Sequence, residues 1–365
     1  MADVAPLHPV RRGHLEAISD ATGIMQHAIG TRPDPAHGYC TDDVARALRV
    51  DLLHHRELGW AAVSASAGRH LSFLAEAFLP ATGRFRNFRA IDGSWLDDGG
   101  SEDCQGRALH ALGETILLAA DAGMVATASL LLGTALPAAR ELTALRAGAS
   151  ALLGCVAAER GGMTGENRPT LRLLAARLDA AFRTSTDAAW PWPEVILTYE
   201  NGLPVQALIA AGVYLRDVRM VDAGVRTLDW LVAVQTAPSG HLSPIGNGWW
   251  ARDGVRSQYD QQPIEAAALL LAAHAALAAT GEPRHQEAME QAYGWFLGAN
   301  DRGTAVASPG DGACFDALTP DGVNANQGAE STLVWLLALE HVRLARAVPS
   351  GAGRTLAPRS LASVA

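Results

Sequence analysis

Lysine is missing altogether: every one of the 29 basic residues is arginine. That absence excludes a Schiff-base lysine, a pyridoxal-phosphate anchor and a P-loop lysine. Cysteine is scarce, and Cys40, Cys104, Cys155 and Cys314 show no C-x-x-C spacing of a zinc ribbon or redox pair. Free thiols are expected, with no metal and no cofactor. Positive charge is in deficit, with 38 acids against 29 bases and a net charge of −9, which argues against nucleic acid or an anionic membrane as partner. Apolar runs are short of the roughly 20 residues a membrane span needs. The first twelve residues hold no long apolar region, so neither a signal peptide nor a membrane anchor is expected, and the protein should be cytoplasmic.

What is present is ample apolar material, 49% of 365 residues, and a recurring device. His37 to Leu48 reads His-Gly-Tyr-Cys-Thr-Asp-Asp-Val-Ala-Arg-Ala-Leu, two acids where a loop becomes an apolar helix. Thr41 is expected to cap that helix, and Asp42 and Asp43 suit the positive end of its dipole. Ser101 to Leu109 repeats the layout with Glu102, Asp103, Cys104 and Arg107. Tyr199-Glu200-Asn201, Tyr259-Asp260-Gln261 with Glu265 four residues on, and Asn326-Gln327-Gly328-Ala329-Glu330 open three more helices. A sixth, plain start near 144 completes a series spaced roughly 45–65 residues apart, a period of supersecondary repeats.

Between these starts the apolar spacing predicts outer helices over about 12–29, 61–79, 168–184, 218–235 and 283–299, with a short strand or hairpin at 84–89. Helices apolar on most faces belong inside a double ring. Because the long loops precede the inner helices, loops and acids should converge at one end. One domain over 1–346 is expected, followed by a disordered tail over 347–365 rich in Pro and Gly.

The strings Gly-Tyr-Cys-Thr-Asp-Asp-x-Ala-Arg-Ala-Leu, Glu-Asp-Cys-Gln-Gly-Arg, Tyr-Asp-Gln-Gln-Pro-Ile-Glu-Ala and Asn-x-Gly-Ala-Glu-Ser-Thr resemble the six-hairpin glycosidase-like superfamily over about residues 30–345. More narrowly they resemble a branch met alone or joined to bacterial glycosyltransferases, for which no catalytic pair is assigned. The resemblance implies an all-α (α/α)6 toroid of six helical hairpins, an oligosaccharide or glycoside substrate, and a glycosyltransferase as a partner.

Glycoside hydrolysis needs one carboxylic acid to protonate the leaving oxygen and one carboxylate as base or nucleophile. The candidates are Asp42, Asp43, Glu102, Asp103, Asp260, Glu265 and Glu330. Acids at helix N-termini favour the charged form, so the proton donor should be raised by burial, as at Glu265 or Glu330, or by crowding within the 42/43 or 102/103 pair. Loop aromatics Trp192, Trp249 and Trp250 are expected to stack on sugar. Tyr39, Tyr199 and Tyr259 should orient acids, and Arg107, Glu200, Asn201, His241 and Gln261 should bind hydroxyls or anionic groups. Arg46 occupies the same place in its helix as Arg107. Three other readings remain: a sugar 2-epimerase drawing on His37, His110, His241 and His274, a glycan-binding module without turnover, and a zinc toroid using Cys40, Cys104 and Cys314.

Overall fold

The computed structural model describes residues 5–185 and 187–347. Among them are twelve α-helices: α1 (Gly13–Ala17), α2 (Thr41–Leu58), α3 (Trp60–Ala77), α4 (Glu102–Leu118), α5 (Ala122–Ala139), α6 (Leu145–Arg160), α7 (Asn167–Thr184), α8 (Gly202–Leu215), α9 (Val218–Val234), α10 (Pro263–Thr280), α11 (Pro283–Phe296) and α12 (Ala329–Arg346). The even-numbered helices pack each on the next, and α12 packs on α2, so they close a ring. The odd-numbered ones back them from outside. This is the (α/α)6 toroid. Apart from Ala347, the expected tail lies outside the described residues.

The inner helices are buried around most of their girth, which is why α10 reads Ala-Ala-Ala-Leu-Leu-Leu-Ala-Ala with no polar stripe. Outer helices carry one buried face; α9, for instance, buries Met220, Gly224, Thr227, Leu228 and Leu231 at helical spacing. At one end the turns are tight, a lone Gly59 between α2 and α3 and two residues between α8 and α9. At the other end long loops enter α2, α4, α8, α10 and α12 and are sewn to one another. Tyr39–Cys40 pairs with Phe88–Arg89 and Ile196–Leu197 with Trp250–Ala251, while single bridges join Gln261 to Leu318 and Ile29 to Asn326. At α6, where the loop is short, side chains replace strands: Glu102 accepts from the Thr143 and Ala144 amides (2.8 and 2.6 Å).

Two expectations are corrected. The first outer helix, expected over about 12–29, stops at Ala17. Asp20 takes the amides of Thr22 and Gly23 (2.8 and 3.1 Å), a turn that competes with the helix. Thr41 does not cap α2: its hydroxyl donates to the Arg86 carbonyl at 2.6 Å, and the cap position is held by extended Cys40, whose side chain accepts from no backbone amide of the first turn.

α4 and α6 approach so closely that glycine is obligatory between them. A Cβ on Gly113 would lie 2.0 Å from the Gly154 carbonyl oxygen, and one on Gly154 2.3 Å from that of Leu109. Gly113→Ala is therefore expected to cost about 2–3 kcal/mol by forcing these backbones apart. Gly68→Ala, in the middle of α3 with nothing within 4 Å of the new carbon, should gain about 0.5–1 kcal/mol from helix propensity. Thermal or urea unfolding of the two variants checks the pair.

Candidate active site

The converging helix starts place five carboxylates and two guanidiniums at the mouth of the ring. α2 contributes Asp42, Asp43 and Arg46, α4 contributes Asp103 and Arg107, Glu200 stands just before α8, and Glu330 opens α12. Arg46 donates to Asp43 (3.0 Å) and, across the ring seam, to Glu330 (2.8 Å). Arg107 donates to Asp42 (3.2 Å) and to Glu200 (2.9 Å), and lies 3.8 Å from Asp103. Asn87 Nδ2 donates to the other oxygen of Asp42 at 3.0 Å. The Tyr199 hydroxyl donates to Asp103 at 2.5 Å, and its ring carries the Arg146 guanidinium at 4.8 Å.

The environments separate these acids. Asp43 is 5% exposed, and burial pushes its carboxyl up to about 6 against the pull of Arg46, with Glu330 and Asp42 adding to the rise. The Cys40 thiol, itself pushed up by burial and Asp43, donates to Asp43 Oδ2 at 3.0 Å. Glu200 is half-buried, its side chain 16% exposed, and Arg107 and Arg46 outweigh the desolvation and hold it below the usual range. Glu200 has φ 51°, a left-handed conformation unusual for a side-chain-bearing residue and concentrated at functional sites. Glu330 is the most open of the five, its side chain 42% exposed.

Beneath the mouth lies a second polar layer. Arg49 of α2 grips Glu114 of α4 through two bonds (2.9 and 3.1 Å), His110 sits 3.2 Å from the same carboxylate, and His341 of α12 meets His274 of α10 at 2.8 Å. Between the layers a space of ≈ 30 Å³, lined by Arg46, Arg49 and Glu200 among apolar side chains, holds about one water. Anything larger than water entering the mouth would lie above the guanidiniums, where Glu330 is open.

The other expected residues fall into three places. Glu102 turns away from the mouth to cap α6. Glu265, 2% exposed, is consumed by the Asn201 amide, the Asn201 side chain and Gln235 (2.9, 3.0 and 3.1 Å), so it anchors α8 to α10 instead of meeting substrate. Asn201 and Gln261 are fully buried in loop-pinning networks, Gln261 holding Asp301 and Trp295. Tyr39 is buried with its hydroxyl on Asp20, and Trp192 is buried against Phe182, so neither offers a surface to sugar. Trp250 is stacked edge-on to Trp190. His241 ties its loop to Asp301 at 2.6 Å. Asp260 (φ 52°) and half-buried Tyr259 stand on the loop ahead of α10; Asp260 is exposed, with no ion pair among the described residues. Trp249, 40% exposed with φ 62°, is the aromatic of this loop left open. For the zinc reading, the thiols of Cys40, Cys104 and Cys314 donate to Asp43 and to the Phe85 and Phe315 carbonyls. Asn87, Arg49, Glu114 and His341 were missed by sequence; for the last three the signal was a charged or imidazole side chain inside an otherwise apolar inner helix.

No family model and no curated protein matches the sequence. Solved structures do. The cellobiose 2-epimerase of Bacillus thermoamylovorans superimposes with a TM-score of 0.70 at 12% identity, over 91% of this chain and 98% of that one. A D-mannose isomerase gives 0.68 at 11%, over 92% and 96%. An inactive variant of the α-1,6-mannanase of Salegentibacter, two consecutive aspartates changed to alanine and α-1,6-mannotetrose bound, gives 0.62 at 11%, over 91% and 97%. The likeness establishes the shared six-hairpin fold, and these structural neighbours are carbohydrate-active enzymes.

Because Asp43 binds its proton more tightly folded than unfolded, its contribution to stability is full below pH 4 and is lost as pH rises through 6. Asp43→Asn lacks that loss. The stability difference should move in the variant's favour between pH 4 and 7, by up to about 3 kcal/mol. Urea unfolding at both pH values measures it, and a difference independent of pH would contradict the raised carboxyl.

Proposed function

We propose that the protein hydrolyses a glycosidic bond of a neutral oligosaccharide, with Asp43 as proton donor and Asp42 as base or nucleophile. The observation that carries this reading is the contrast between two neighbouring acids: buried Asp43 keeps its proton up to about pH 6, while Asp42 accepts from Arg107 and Asn87. Such a split of environments is what acid and base assignments require. The inactivating change of two consecutive aspartates in the mannanase supports it.

In this reading the leaving oxygen takes the Asp43 proton, which requires Arg46 to stay on Oδ1 while Oδ2, facing Cys40, exchanges the proton. Asp42 meets the anomeric carbon or its attacking water. Glu200, Glu330 and Asp103 accept sugar hydroxyls, and Trp249 supplies an apolar face. Five carboxylates against two guanidiniums favour water over phosphate or a uronate, since a further anion would be repelled.

A second reading is favoured by the hydrogen-bonded His274–His341 pair in the lower layer. One imidazole donates and the other accepts, an arrangement able to shuttle a proton at a sugar carbon, as isomerisation or epimerisation needs. Association with a glycosyltransferase and a cytoplasmic location remain part of the proposal.

The test is incubation with α- and β-linked gluco- and manno-oligosaccharides, followed by NMR. Shortened products are expected, with kcat falling above about pH 6 as Asp43 loses its proton. Asp43→Asn and Asp42→Asn should each lower kcat by about a thousandfold or more without matching changes in KM. Isomerised sugar that survives Asp43→Asn and is lost in His341→Phe would replace this reading with the second.

A further inference from the structure

Outside the toroid, the early end of α1 leaves a gap in the outer wall beside α3. A pocket of ≈ 310 Å³ opens there, away from the mouth, lined by Arg12, Glu16, Asp20, Ser66, Arg69 and His70 among small apolar residues. Its volume is in the range of small-molecule sites.

The wall is polar and incompletely paired. His70 is 1% exposed; its Nδ1 lies 2.8 Å from Asp51, while Nε2 finds no partner among the described residues. The Arg12 side chain is 8% exposed and gives its Nη2 to Asp51 (2.6 Å) and Ser66 (3.0 Å), yet its Nε has no hydrogen-bond partner among the described residues. Glu16 lies 3.7 Å from that Nε. Arg69 Nε is likewise buried and unpartnered, and among the described residues its guanidinium makes no ion pair. Buried polar atoms without partners are costly, and three in one cavity wall, two guanidinium donors and an imidazole nitrogen, call for a ligand.

The chemistry of that ligand follows from what is unpaired. Arg69 is a cation without a counter-ion among the described residues, suited to an oxyanion. Glu16 and Asp20 are acceptors that repel a bare anion but take hydroxyls. His70, donating through Nδ1 to the carboxylate of Asp51, presents Nε2 as an acceptor for another hydroxyl. We propose that this pocket binds a sugar of monosaccharide size bearing one oxyanion, a phosphate ester or a carboxylate, with the anion on Arg69 and the hydroxyls on Glu16, Asp20 and His70. The site is separate from the mouth and does not depend on the reaction proposed there.

The test is calorimetric titration of the full chain with glucose 6-phosphate, glucuronate, glucose and inorganic phosphate. Saturable binding is expected for glucose 6-phosphate or glucuronate, about tenfold or more tighter than for glucose or phosphate alone, and the stronger of the two identifies the oxyanion. Arg69→Ala should weaken it by about tenfold while leaving the ligand-free melting temperature unchanged. Asp43→Asn should leave it intact. Equal binding of glucose, retention in Arg69→Ala, loss in Asp43→Asn, or no binding by any of the four compounds would overturn the proposal.

Discussion

Everything at the mouth depends on two guanidiniums held between acids. Five carboxylates gathered on converging helix starts would repel one another, and Arg46 and Arg107 make their approach tolerable by each bonding to acids from more than one helix. Planar, permanently charged guanidinium suits this bridging role better than an ammonium. The same two groups set the acids apart chemically, because Arg107 and Arg46 act together on Glu200 while Arg46 alone, opposed by burial, faces Asp43.

The loops repeat that logic with backbone. Paired strands fasten neighbouring loops except at α6, and there Arg146 takes over, donating to the Tyr199 carbonyl, to Glu194 and to Asn201. The hairpin without acids at its start is thus the one that braces Tyr199 and, through its hydroxyl, Asp103. A ring of unequal hairpins gives a mouth whose side chains are held from below by helices and from the side by loops.

The six hairpins were legible because apolar periodicity and the recurring acid-bearing starts report local requirements, and the matching positions of Arg46 and Arg107 pointed to their shared role. Asp42, Asp43, Asp103, Glu200 and Glu330 meet at the mouth for the same reason. What the sequence could not reveal was how each polar group is spent. Glu265 and Asn201 look like Asp43 and Glu200 in their local strings, yet they are paired with each other 64 residues apart. Trp192 and Tyr39 lie in loops that fold back over the core, so loop position did not mean exposure. Helix α1 failed for a local reason, the capture of two amides by Asp20, which a period of apolar residues does not register.

Ring closure also sets an order of events. Arg46 and Glu330 are separated by 284 residues, so a chain emerging from the ribosome at about 5–20 residues per second holds an open seam between α2 and α10 for most of its synthesis. During that interval Arg46 has only Asp43, and the apolar flanks of α2 and α10 that α12 later covers face solvent. The last helix acts as a keystone: the earlier hairpins can stack as they appear, but the acid cluster acquires its final charge balance only when the final helix slots in.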